Sequence, residues 1–224
     1  CLIDRQAVVD LYCQGRGSVV NGPYSNAFWM ARESEDFFGQ NLNHYQYSVK
    51  KAEKLLDLGC GTGLELEEIF ERLPGVSVTG IDLCEEMLTR LKEKYNGKSL
   101  NIICGDYFSL PFGEEFDCAV SFQTMHHFKK EKKLGLYKKI YDALLSGGVY
   151  VECDYMVGTQ AEEDLCFFEN RRLRKEMGID ENEFYHYDTP CSVENQIAML
   201  KNSGFTSVEK VMHIENTVML VARK

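Results

Sequence analysis

The sequence predicts an α/β fold, a mostly parallel sheet with helices on both faces. Three observations lead there. Short apolar runs of strand length recur between residues 54 and 153, and stretches with a helical apolar period separate them. The first run, Lys54-Leu55-Leu56-Asp57-Leu58, enters a turn with glycines at 59, 61 and 63, and a helical pattern starts at Leu64. Strands that alternate with helices pair in parallel through right-handed crossovers.

Taken in order, residues 1–50 stand apart from that pattern. Ile3, Ala7 and Leu11 recur at intervals of four and suggest a short helix, after which Gly15, Gly17, Gly22 and Pro23 break the chain. Aromatic rings then crowd in, among them Tyr24, Phe28, Trp29, Phe37, Phe38, Tyr45 and Tyr47. They either pack this segment onto the sheet or form a lid over a ligand. Tyr24 and Trp29 are the candidates for a substrate-pocket wall.

The glycine turn opens residues 51–224. Leu66, Ile69, Phe70 and Leu73 give the first helix one apolar face, and Pro74-Gly75 ends it. Val76 to Asp82 reads as strand two, and Cys84, Met87, Leu88, Leu91 and Tyr95 phase the next helix. Leu100 to Cys104 is strand three and Phe116 to Phe122 strand four. Tyr137, Ile140, Tyr141 and Leu144 mark a long helix, which Gly147-Gly148 is expected to cap. Val149 to Cys153 is strand five.

The alternation then stalls. Residues 161–178 are helical but poorly phased, and Phe184 to Asp188 is a second aromatic cluster. Ser192 is placed to cap the next helix, though Asn195 leaves its capping box incomplete. Two last strands follow, near 208–213 and 217–222.

Composition limits the function. With 25 Lys and Arg against 35 Asp and Glu the formal charge is −10, which disfavours sequence-independent contact with phosphate backbones. No apolar run approaches the length of a membrane span, and no signal-peptide pattern opens the sequence. The nine cysteines include no C-x-x-C pair, so no zinc site is expected. Cys104, Cys118 and Cys153 lie in strand-like apolar runs, and we expect them buried and reduced in a cytoplasmic protein.

The turn itself suggests a nucleotide-type cofactor, since glycines let a ligand approach the backbone. A dinucleotide fingerprint would place its third glycine at position 64, which is Leu, and Asp57 would repel a pyrophosphate. An ammonium suits Asp57 better.

The run Asp57-Leu-Gly-Cys-Gly-Thr-Gly63 resembles the first motif of the class I S-adenosylmethionine (SAM)-dependent methyltransferases. The resemblance covers residues 53–156 well and continues more weakly beyond. It implies a Rossmann-like, seven-stranded sheet with an antiparallel C-terminal edge. It also implies an insert, about 157–190, over the substrate pocket. SAM would be the cofactor and S-adenosylhomocysteine the product.

Several positions would hold that cofactor: Asp57, Gly59, Cys60, Gly61 and Gly63 at the turn; Asp82, Leu83 and Met87 beyond strand two; Gly105, Asp106 and Tyr107 after strand three; Phe122 and Gln123 after strand four. Asp82 suits ribose hydroxyls, although a dinucleotide fold also places an acid there. Within the family an acid in a Gly-Asp pair like Gly105-Asp106 takes the adenine amino group; a turn cap is the plain alternative. Cys60 reads as a small filler.

Met125-His126-His127-Phe128 resembles the small-molecule branch of the family, where a histidine pair often follows strand four. One of His126 and His127 is the candidate catalytic base. His186 is a further pocket candidate, against an exposed loop histidine. Arg171, Arg172 and Arg174 form either a solvated helix face or a carboxylate-recognising run. The expected function is methyl transfer by direct displacement to a small molecule, with no metal required. A tRNA-modifying enzyme, a non-catalytic SAM-binding protein and, more distantly, a dehydrogenase are the alternatives.

Overall fold

The computed structural model describes residues 52–180 and 187–224. The aromatic segment 1–50, with Tyr24 and Trp29, and His186 lie outside the described residues.

In chain order the elements are β1 (Lys54–Leu58), α1 (Leu66–Arg72), β2 (Ser77–Asp82), α2 (Glu85–Lys94), β3 (Leu100–Cys104) and β4 (Phe116–Phe122). A 3-10 turn at Met125–His127 follows, then α3 (Lys130–Ala143), β5 (Leu144–Tyr155), α4 (Gln160–Met177), α5 (Val193–Asn202), β6 (Ser207–Ile214) and β7 (Thr217–Arg223). The seven strands form one sheet in the order β3-β2-β1-β4-β5-β7-β6. The first five pair in parallel, while β7 pairs antiparallel with both β5 and β6.

The apolar runs are continuous because both faces of the sheet are covered. Alternate residues of each strand serve different cores. Leu56, Leu58, Ala119, Tyr150, Val218 and Leu220 share one face with Leu136, Tyr137 and Ile140 of α3 and Met199 and Leu200 of α5. Leu55, Val78, Val120, Val151 and Val221 share the other with Leu66 and Phe70 of α1 and Leu88 and Leu91 of α2.

Four details refine the sequence reading. Gly147-Gly148 does not cap α3. That helix stops at Ala143, where the Leu144 N–H donates to the carbonyls of Ile140 and Tyr141. The two glycines lie in a bulge at the start of β5, across which the register with β4 jumps from Phe116↔Leu144 to Cys118↔Val149. A side chain at Gly148 would meet the carbonyl oxygens of Leu145 and Asp117. Cys104 is exposed, whereas Cys118 and Cys153 are buried as expected, because β3 is the sheet edge and none of its residues is fully buried. The poorly phased stretch is a regular helix, α4, started by a full capping box between Thr159 and Glu162. Ser192 does cap α5, accepting from the Asn195 N–H at 3.3 Å. The Asn195 amide reaches across to Gln160 and Glu163 instead of closing a box.

Candidate functional site

The ends of β1, β2, β3 and β4 bring the singled-out residues to one edge of the sheet, where the strand order reverses between β1 and β4. The glycine turn is pinned by hydrogen bonds from the Gly59 N–H to Ile81 O (2.8 Å) and from the Gly63 N–H to Cys60 O (2.7 Å). Gly59 has φ +74°, and a Cβ on it would lie 2.4 Å from Thr124 Oγ1, so both conformation and space demand glycine. A Cβ on Gly61 would meet the Met87 methyl at 2.9 Å.

Asp57 is buried beneath this turn, beside Glu65. Burial, and then the Glu65 charge, holds the Asp57 carboxyl well above its ordinary range, and burial also raises Glu65. Asp57 Oδ2 and Glu65 Oε1 meet no donor among the described residues. The two buried carboxyls hold a proton between them, and these oxygens await a cationic or donor partner. The Cys60 thiol fills the space above Gly80, and burial followed by the Asp57 charge keeps it protonated.

Asp82 accepts from the N–H groups of Gly61 (3.0 Å) and Cys84 (2.8 Å), so its carboxylate also fixes the shape of the turn. Leu83 beside it is 69% exposed. Asp106 accepts from the Phe108 N–H and the Ser109 hydroxyl, both at 2.9 Å, which is the turn cap weighed above. Gly105 packs against Leu110, and Tyr107 is buried against Phe108 and Phe128. At the end of β4, Phe122 is half-buried. Gln123 takes φ +51°, its N–H donates to Cys153 O, and both polar atoms of its buried amide end lack partners among the described residues.

The histidine pair sits in the 3-10 turn after β4. Asp154 organises it: its carboxylate accepts from the N–H groups of Met125 (2.5 Å) and His126 (3.1 Å) and pairs with His126 Nδ1. Burial alone would lower the His126 pKa, but the Asp154 charge overrides it and raises it. The same pairing outweighs burial at Asp154 and holds its carboxyl below its ordinary value. Asp188 closes the other side, 3.6 Å from His126 Nε2 and 3.3 Å from His127 Nδ1. His126 is fully buried, and His127 is partly exposed.

Sequence reasoning missed Asp154, Asp188 and Glu65. Asp154 is brought to the histidines by the β4–β5 register, which pairs Phe122 with Cys153. Asp188 arrives by the return of the chain after the insert, where the Thr189 N–H donates to His126 O. Glu65 stood in view two residues after Gly63 but read only as part of the start of a helix. Of the basic run, Arg172 is engaged by Glu169 and Glu176, and Arg174 by Asn170 and the Asp180 carbonyl.

The fold and this edge together suit a nucleoside cofactor carrying a positive charge. Residues 55–148 match a family model described as a methyltransferase domain. A carboxy-S-adenosyl-L-methionine synthase of Nautilia profundicola is 27% identical over 212 residues, 87% of this chain and 89% of that protein. Among solved structures, the SAM-dependent methyltransferase SibL superposes with a TM-score of 0.65 at 15% identity, over 88% of this chain and 56% of that one. Human N-acetylserotonin methyltransferase in complex with SAM gives 0.57 at 20% identity, over 87% and 54%. The chain thus spans little more than half of these two structures. Residues 55–148 thus match a methyltransferase domain, and the fold is the one that SAM-dependent methyltransferases share.

Proposed function

We propose that this chain transfers the methyl group of SAM to a small-molecule nucleophile at the edge formed by β1, β2 and β4. The observation that carries this reading is the unsatisfied Asp57–Glu65 pair beneath the glycine turn, which fits an ammonium and would repel a phosphate. SAM supplies an electrophilic methyl group on a sulfonium. Asp57 and Glu65 neutralise the cofactor's ammonium, and Gly59, Gly61 and Gly63 leave room for it beside the backbone. Asp82 accepts ribose hydroxyls on the lone pairs that the Gly61 and Cys84 amides leave open. Asp106, Leu83 and Tyr107 surround the adenine, and the Gln123 amide meets the polar part of the cofactor or acceptor. Positioning of the nucleophile supplies much of the acceleration. His126, held by Asp154, is a positioning residue; His127, beside Asp188, receives the acceptor's proton. Tyr24, Trp29 and His186 are proposed for the acceptor pocket on sequence alone.

A second reading has a specific observation in its favour. The synthase from Nautilia profundicola matches along nearly its whole length, so the chain could make carboxy-SAM. One experiment separates the two. The protein is incubated with methyl-labelled SAM and a cell extract, and the products are read by mass spectrometry. Label on an acceptor, with S-adenosylhomocysteine formed, supports methyl transfer. Label retained on a carboxylated SAM skeleton overturns it in favour of the second reading.

A further inference from the structure

His126, His127 and Asp188 each offer a ligand atom, and these atoms lie within 4.8 Å of one another. We infer that they form a binding site for a first-row divalent cation at the acceptor end of the pocket. Four features favour a cation over a plain hydrogen-bonded cluster. The His126 ring is fully buried, and its Nε2 makes no hydrogen bond among the described residues. Its other nitrogen is held by the Asp154 carboxylate. A carboxylate behind a histidine is the outer-shell arrangement that fixes the tautomer and orients the free nitrogen toward a metal. Asp154 is itself held by two backbone N–H groups, so the ring cannot swing away.

The donor set also fits. Two imidazoles and one carboxylate suit zinc and its neighbours, and three protein ligands leave positions open for an added molecule. The spread of the three atoms asks only for a small closure, since ligands about 2.1 Å from one ion lie some 3–4 Å apart. His127 in the 3-10 turn and Asp188 on the returning chain are both partly exposed, so solvent and ligand can reach them.

The class of acceptor follows, resting on the methyl-transfer reading above. It is an oxygen nucleophile, a hydroxyl or phenol that enters an open position on the cation. Lewis acidity lowers the pKa of such a hydroxyl, whose proton then leaves to solvent. The cation would take over the proton-removing part assigned above to His127.

The test uses the whole protein, stripped with a chelator and titrated with Co2+ under visible absorption and with Zn2+ by calorimetry. The expected result is one cation per chain, with the ligand-field bands of a nitrogen- and oxygen-bound Co2+. His127→Gln and Asp188→Asn, both at partly exposed positions, should abolish that event. Asp154→Asn should weaken it roughly 10- to 100-fold. No stoichiometric binding, or binding unchanged in His127→Gln and Asp188→Asn, would overturn the inference. A thermal shift with S-adenosylhomocysteine on the same samples keeps the two readings apart. A shift without cation binding removes the metal site and leaves the cofactor assignment standing.

Discussion

Asp57 is where the chemistry of one side chain reaches furthest. In the free protein burial and Glu65 hold its proton. A bound ammonium favours the ionised form, so binding should expel that proton. Affinity for SAM should therefore rise with pH above the ordinary carboxylate range and flatten once Asp57 ionises unaided. Calorimetry in buffers of different ionisation enthalpy reads the proton directly. Asp57→Asn should abolish the release, and a wild-type affinity flat above that range would sink the assignment. Asp82→Ala should weaken S-adenosylhomocysteine by roughly 1.5–3 kcal/mol, the worth of a bond to a charged group. Part of that loss reflects the turn itself, because Asp82 also holds the Gly61 and Cys84 amides. These residues stood out because each lies at or near the end of an apolar strand run, Asp57 in β1 and Asp82 in β2. Asp154 and Asp188 did not. Nothing local in the sequence says which carboxylates strand pairing and a returning loop will set beside His126.

The strands were the most legible elements, since apolar runs bounded by glycine leave few alternatives. Gly147-Gly148 shows the limit: a glycine pair signals a backbone turn but not whether it caps a helix or bulges a strand. Capping at α4 was invisible for the opposite reason, since Thr159 and Glu162 sit among charged residues with weak phasing. Thr159→Ala should cost about 1 kcal/mol, seen as a fall of roughly 2–4 °C in the melting midpoint. α4 is also tied to its neighbours through Glu163. Its carboxylate pairs with Lys130 of α3 and accepts from the Ser192 N–H and the Asn195 amide at the start of α5. Despite the opposing effect of burial, these partners hold it down at about 2 from an ordinary 4.5. A depressed pKa stabilises above the unfolded value and is lost as pH falls, so this contribution should fade between about pH 4.5 and 2. Acid titration of Glu163→Gln should lack that component; an identical acid profile would contradict it.

For the whole molecule, the cofactor can be read through stability. S-adenosylhomocysteine at 100 times its dissociation constant should add about 2.7 kcal/mol, and so raise the melting midpoint by roughly 5–11 °C, while NAD leaves it unchanged. A shift with NAD alone would return the dehydrogenase alternative. Among the described residues no helix is long and apolar enough to cross a membrane. The strand order carries one more consequence, for biosynthesis. β7 is the last of the seven strands in sequence, yet it lies inside the sheet, between β5 and β6. Its Val218, Leu220 and Ala222 fill one core while Met219 and Val221 fill the other. A ribosome that has released everything through β6 therefore exposes a nascent chain with a gap in its middle and two unpaired strand edges. A stop codon just before Thr217 should therefore yield insoluble protein rather than a weakened enzyme, which fractionation of the expressed chain would read.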